Sequence, residues 1–330
     1  MKSLITGVQN AYLIKVDDCA PYRNVWQLKT SEGTKCLKKV RYSREDAFFI
    51  FLATENLLTN GFKRFNRFVL AKTGEPYMYL EDELYVLSDW ISGRQSDYTD
   101  PQALQITIKT LMDMQRASLG FQPPSLSKQR IKWGYWIDNF SERYQELKKF
   151  KKLASCLETF FDELFYIHAE KHIEEAEEAI ALLEKSAYYR LVEEEEGLNG
   201  FCHHDFAYHN VLINNGEGYL IDFDYLICDL RCHDTASFMM RAIKDNSWQT
   251  KYAKTILEEY DRHAGLRKGE AELIAAFLKF PQDFWQAGYT YYVEKNRPLE
   301  RMGKRLKNCI TSMDLRSKCL EELVEVCHER

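Results

Sequence analysis

The chain has 330 residues, 45% hydrophobic and 29% charged, with 20 Tyr, 19 Phe and 6 Trp; this is globular composition, long enough for two lobes, and it excludes a disordered chain. A formal charge of −5, from 45 Lys plus Arg against 50 Asp plus Glu, gives no net positive field to draw nucleic acid or anionic lipid. The densest apolar run, residues 47–53, is far too short to cross a bilayer, and no long apolar stretch opens the sequence, so a soluble cytoplasmic protein with no membrane or nucleic-acid partner is expected.

Residues 11–16 are apolar enough for a strand, and 25–29 and 35–41 flank Ser31-Glu32-Gly33-Thr34, which has the composition of a hairpin turn. Residues 44–60 carry Phe48, Phe51, Leu52, Glu55 and Leu58 at helical spacing, and Asn60-Gly61 supplies the stop. Strand character returns at 67–71, 77–80 and 84–87, divided by Gly74, Pro76 and an acidic turn. Beyond Ile91-Ser92-Gly93 the pattern turns helical over 101–119 and, after Pro123-Pro124, again over 136–187. The run Glu193 to Glu196 reads as a solvated helix end.

Two short apolar runs, 211–214 and 219–223, enclose Asn215-Gly216-Glu217-Gly218, a hairpin signature, and the chain after Asp234 is helical. The expected class is α+β, with an N-terminal lobe at 1–92 and a C-terminal lobe at 93–330 that contains a helical insert at about 100–199.

The nine cysteines are scattered and odd in number, as expected of reduced thiols. Cys202, Cys228 and Cys232 fall near His203, His204, His209 and His233, but no C-x-x-C or H-x-x-x-H pair gives them zinc spacing.

The informative segment is His203-His204-Asp205-Phe206-Ala207-Tyr208-His209-Asn210, followed by the hairpin and Ile221-Asp222-Phe223-Asp224. Transfer of a γ-phosphoryl group needs a carboxylate near the attacking hydroxyl, and an amide oxygen and a second carboxylate to hold magnesium. Asp205, Asn210 and Asp222 supply these groups: one tight loop presents the first two, and the hairpin returns the chain to bring the third beside them. His203 is expected to fix that loop by hydrogen bonding, and Asp234 to cap a helix or brace the loop. Upstream, Lys38 lies on a strand and Glu55 on the next helix, where a cation can bind the α and β phosphates and a carboxylate can hold its ammonium. Strand alternation puts Lys38 and Lys39 on opposite faces, so only one can enter a cleft; Lys38 is preferred, with Lys39 the competing choice. The cluster Trp133, Tyr135 and Trp136 reads as core packing.

These residues resemble the CotS-type spore coat kinases, a branch of the aminoglycoside phosphotransferase and choline kinase superfamily. The resemblance runs almost end to end. It rests on Lys35-Cys36-Leu37-Lys38-Lys39, Asn60-Gly61-Phe62, the stretch from Tyr85 to Gly93, Cys202 through Asn210, Ile221-Asp222-Phe223-Asp224 and Phe280-Pro281-Gln282-Asp283-Phe284-Trp285. It implies a bilobal protein-kinase-like fold with a small antiparallel-sheet N-lobe and a large, mainly helical C-lobe. It also implies an ATP site at a hinge that includes Asp89, Trp90 and Ile91, Asp205 as catalytic aspartate with His203 in the same loop, Asn210 and Asp222 as Mg2+ ligands, and Lys38 on the phosphates.

The first hairpin, around residues 17–24, has no glycine, which departs from protein kinases and favours the small-molecule branch. The reading is an ATP- and Mg2+-dependent phosphotransferase of the mother-cell cytoplasm and spore coat. Its acceptor would be a small-molecule or coat-associated hydroxyl, and other spore coat proteins would be its partners. The alternatives are a coat scaffold with the kinase fold and little turnover, and a metabolic kinase of the homoserine or choline type.

Overall fold

The computed structural model describes residues 2–294 and 299–328. The chain divides into two compact units, residues 1–132 with 196–234, and residues 133–195 with 235–330.

The first unit opens with a helix, α1 (Lys2–Tyr12), where a strand over 11–16 was expected. Leu4, Val8 and Tyr12, spaced by four, give it one buried stripe, and Leu13, at φ +55°, ends it. The strands β1 (Val16–Tyr22), β2 (Val25–Thr30), β3 (Gly33–Lys39), β4 (Met78–Leu80) and β5 (Glu83–Asp89) form an antiparallel sheet in the order β1-β2-β3-β5-β4. Residues 67–71 do not form the expected strand; they make a single bridge, Phe68 to Ser88. Leu28, Leu37 and Leu87 pack with the α1 stripe, whereas Val40, Leu84 and Val86 pack with Ala47 of α2 (Arg44–Thr59). The Ser43 hydroxyl caps α2 by accepting from the Asp46 N–H at 3.1 Å, and Glu45 and Asp46 stand in its positive first turn.

Lys38 pairs laterally with Val25 and Val86, which sets its side chain on the face opposite Leu37. The loop to the next helix carries β6 (Arg94–Gln95), and Asp100 then caps α3 (Pro101–Ala117), with proline in its first turn. β6 pairs with β7 (Val211–Asn214), which forms a hairpin with β8 (Glu217–Leu220). α3 lies against that hairpin, where a Cβ on Gly218 would fall 2.1 Å from the Thr110 hydroxyl.

The second unit is helical: α4 (Trp136–Ala154), α5 (Phe160–Lys185), α6 (Tyr188–Leu198), α7 (Cys232–Asp245), α8 (Thr250–Ala264), α9 (Glu270–Lys279), α10 (Gln282–Tyr289), α11 (Leu299–Thr311) and α12 (Met313–His328), with α6 and α7 running across the division between units. The helical pattern over 136–187 is thus two helices, broken at 155–159. The acidic run lies within α6, and Glu195 turns inward to pair with Arg267 at 2.9 Å. Trp136 is buried beside Tyr188 and Phe277, while Tyr135 is exposed. The F-P-x-x-F-W segment is core as well: Phe280 stacks on Phe140, Phe284 on Phe165, and the Trp285 indole N–H donates to Glu146 at 2.7 Å. The antiparallel sheet of the N-terminal region and the helical C-terminal region give the α+β class expected from the sequence.

Candidate functional site

The loop from His203 to Asn210 is held by a buried carboxylate on α7. Asp234 is fully buried and accepts the main-chain N–H groups of His203 at 2.6 Å and His204 at 2.9 Å, so it braces the loop. Burial pushes its carboxyl up, but the hydrogen bond to His233 and the neighbouring imidazoles of His233, His203 and His204 outweigh that and hold it below the ordinary carboxylate range. The brace fixes a main chain under local strain, because His204 sits at φ +65°.

His203 ties the loop to the segment that carries Asp222. Its Nε2 lies 3.0 Å from the Ile221 carbonyl; a carbonyl can only accept, so Nε2 bears the proton. The ring is buried and acts on the loop's position. Asn210 closes the loop from the other end, its Nδ2 donating to the Asp205 carbonyl at 2.9 Å and to Asp205 Oδ2 at 3.0 Å. The Asn210 amide oxygen then has no hydrogen-bond partner among the described residues.

Asp222 stands at φ +65°, just past β8, and its Oδ1 lies 2.6 Å from the Lys38 Nζ. Asp224 Oδ2 approaches the same ammonium at 2.8 Å. Burial alone would lower the Lys38 pKa, but Asp224 and then Asp222 raise it above the ordinary lysine value. Asp224 is itself pushed up, first by burial, with Lys38 opposing and Asp222 adding to the rise. Lys39, on the opposite face, pairs with Glu83 at 2.8 Å.

The structure therefore pairs Lys38 with Asp222 and Asn210 with Asp205, and the main chain of Ile221, which donates to Asn210 O at 3.0 Å and accepts from His203, ties the two pairs together; Glu55 is in neither pair. Glu55 is exposed on α2 and forms no ion pair with Lys38, whose partners are Asp222 and Asp224. A helix carboxylate was the expectation because helix and strand are sequence neighbours, and only the tertiary path of residues 222–224 supplies a nearer one.

Asp89 ends β5 and takes an ion pair from Lys35 at 2.7 Å. Its N–H donates to Arg67 O at 2.8 Å, and the Trp90 N–H donates to Thr34 O at 3.1 Å. The Trp90 ring meets Tyr22, at the tip of the first hairpin, edge-on with centroids 5.3 Å apart, and Ile91 follows half-buried.

Two of these oxygens are of the kind a divalent cation takes. Asp222 uses one oxygen on Lys38, and its second oxygen and the Asn210 amide oxygen are hard ligands of the kind magnesium prefers. Among the described residues no group of three or more His, Cys, Asp or Glu side chains is placed to hold a metal ion, so oxygens from another source would complete the shell. Sequence reasoning passed over Asp224 as a ligand of the lysine, although its position two residues beyond Asp222 was a usable signal. It passed over Arg130 and Asp46 for want of any signal.

A family model described as "Spore coat putative kinase YutH" matches residues 6–323. Spore coat protein S of Bacillus subtilis (strain 168) is 25% identical over 308 residues, covering 92% of this chain and 88% of that protein. Among solved structures, an aminoglycoside phosphotransferase from Alicyclobacillus acidocaldarius superposes with a TM-score of 0.84 at 20% identity, over 98% of this chain and 96% of the other. Spectinomycin phosphotransferase APH(9)-Ia, solved with ADP and spectinomycin, superposes with a TM-score of 0.63 at 14% identity, over 96% of this chain and 98% of the other. At these identities the structural likenesses establish the fold as that of aminoglycoside phosphotransferases. The chain belongs to the YutH family of spore coat kinases.

Proposed function

We propose that the protein is an ATP- and magnesium-dependent phosphotransferase associated with the spore coat, acting on a hydroxyl group of a small-molecule or coat-borne acceptor. The observation that carries this reading is that the Lys38–Asp222 pair and the Asn210–Asp205 pair are tied together by the main-chain hydrogen bond from the Ile221 N–H to Asn210 O at 3.0 Å. The nucleotide-bound phosphotransferase that shares the fold supports the same cofactor class.

In this reading Asp205 accepts or orients the proton of the attacking hydroxyl, with Asn210 and His203 holding its loop. Asn210 and Asp222 would hold the cation, which when bound would offset the charge of the phosphates. Lys38 binds phosphate oxygens after partial release from its carboxylates, and Asp89, Trp90 and Ile91 line the base. The N-terminal lobe at 1–92 binds nucleotide and the lobe at 93–330 carries the catalytic loop and shapes the acceptor site. No helix among the described residues is long and apolar enough to cross a membrane.

Calorimetric titration with ATP, with and without magnesium, on the wild-type protein and Asp222→Ala tests the reading. Magnesium-dependent binding that the variant loses is the expected result; binding by neither protein would favour a coat scaffold.

A further inference from the structure

One buried cation grips the Asp222–Asp224 turn from behind. Arg130, 7% exposed, lies on the segment after α3, where Arg130 O accepts the Cys228 N–H at 2.8 Å and the Lys132 N–H donates to Cys228 O at 2.8 Å. Its guanidinium is engaged along its edge and across its face. Nη1 donates to the main-chain carbonyls of Asp224 at 2.9 Å and Leu226 at 2.8 Å. Nε lies 2.9 Å from Asp46 Oδ1, close enough for an ion pair without the alignment of a hydrogen bond. The guanidinium carbon stands 5.4 Å from the Tyr42 ring centroid and 5.8 Å from that of Phe49.

Asp46 is further held by Gln129 Nε2 at 2.7 Å. The Tyr42 hydroxyl faces the Asp224 carboxylate. The hold falls on the main chain of one of the two residues whose carboxylates share Lys38. Among the described residues, no hydrogen bond or ion pair joins Arg130 or Tyr42 to Asp222.

We infer that Arg130 is a positioning residue: by fixing the main chain at Asp224, with the Tyr42 hydroxyl facing its carboxylate, it keeps Asp224 on Lys38 and leaves Asp222 an oxygen for a divalent cation. Without that hold the ammonium settles on Asp222 alone and competes with the cation for the same carboxylate. Helix α2 is coupled to the site through Asp46 in its first turn, not through Glu55. The inference rests on the magnesium-dependent reading of Asp222 but assigns a role to residues which that reading does not use.

The test is a magnesium titration of ATP binding by calorimetry on the wild type, Arg130→Gln, Tyr42→Phe, Asp224→Asn and the Arg130→Gln/Asp224→Asn double variant, with crystal structures of the wild type and the first two variants. In Arg130→Gln the magnesium concentration for half-saturation should rise about tenfold, the scale of one lost charge-assisted contact, with metal-free ATP affinity unchanged. Adding Asp224→Asn should produce no further rise.

Tyr42→Phe keeps the ring packing and removes only the hydroxyl, so it should fold even where Arg130→Gln does not, and raise the magnesium demand about threefold. Equal losses with and without magnesium, or wild-type demand in both variants, would overturn the inference. A wild type that binds no ATP with magnesium sinks the phosphotransferase reading and leaves the crystal structures to decide this one. There, an Asp224 carboxylate turned away from Lys38 in either variant supports it, and an unmoved Lys38–Asp224 contact in both refutes it.

Discussion

The Lys38 ammonium and the Asp222 carboxylate meet at 2.6 Å across 184 positions of sequence. Asp224 shares the lysine at 2.8 Å, so two carboxylates face one ammonium and the cluster retains a formal negative charge. Such a cluster favours exchange of part of the lysine's contact for a divalent cation carrying phosphates.

Removing the lysine should show which of two adjacent lysines serves the site. Lys38→Met should weaken magnesium-ATP binding about tenfold to a hundredfold, as for a lost charge-assisted phosphate contact. Lys39→Met, which breaks only an exposed pair with Glu83, should stay within about twofold. Calorimetry on both variants checks this, and equal losses would place the phosphate contact elsewhere.

Asp205→Asn should leave magnesium-ATP affinity near the wild-type value and lower ATP consumption about a thousandfold, within the range of a lost general base. The Asn210 side chain still finds the residue 205 carbonyl it bonds at 2.9 Å, which keeps the loop closed. Single-turnover ATP consumption against a panel of hydroxyl acceptors, run beside a binding titration, separates the two effects; undiminished turnover would remove Asp205 from the chemistry.

The two acidic residues of α2 should behave oppositely. Asp46 is buried against Arg130, and Asp46→Asn should cost about 3 kcal/mol, the scale of breaking one side of a buried ion pair. Exposed Glu55→Gln should change stability by less than about 0.5 kcal/mol. Urea unfolding monitored by tryptophan fluorescence measures both.

Asp234 should make the protein acid-sensitive. Its folded pKa is depressed, so its contribution is present above the unfolded carboxyl value of about 3.9 and is lost as pH falls through the lower folded value. Asp234→Asn should therefore cost about 3 kcal/mol at neutral pH, the low end for two charge-assisted hydrogen bonds. The difference from wild type should shrink below about pH 4. Unfolding curves from pH 3 to pH 7 would show a constant difference if the carboxylate were immaterial.

In the second unit, Gly288 of α10 faces two aromatic rings: an added Cβ would lie 2.8 Å from Phe150 Cδ2 and 2.8 Å from Phe165 Cε2. Gly288→Ala should destabilise by about 1–3 kcal/mol through overpacking, against the small gain that alanine brings to a helix. A melting temperature equal to the wild type would mean that the rings yield.

The parts of the fold legible in the sequence share a physical cause. The hairpin between β2 and β3, the hairpin between β7 and β8, and the starts of α2 and α3 are encoded by turn and cap residues within a few positions of where they act. Helix α1 was missed because its signal is three apolar residues spaced by four, and its stability comes from a sheet the local window does not contain. Residues 67–71 were read as a strand because their composition suits one; the structure gives that segment one bridge and no ladder.

For the site, the sequence by itself determined the loop that carries Asp205 and Asn210, the return to Asp222 and that Lys38 and Lys39 lie on opposite faces of their strand, because spacing and strand alternation are local geometry. Only the tertiary structure decided that Asp224 rather than Glu55 holds Lys38, that Asp234 braces the loop from α7, and that Arg130 and Asp46 stand behind the turn. Those contacts join segments tens to hundreds of residues apart. Which carboxylate lies nearest a given cation depends on how the intervening chain packs, and no spacing of residues along the sequence records that distance.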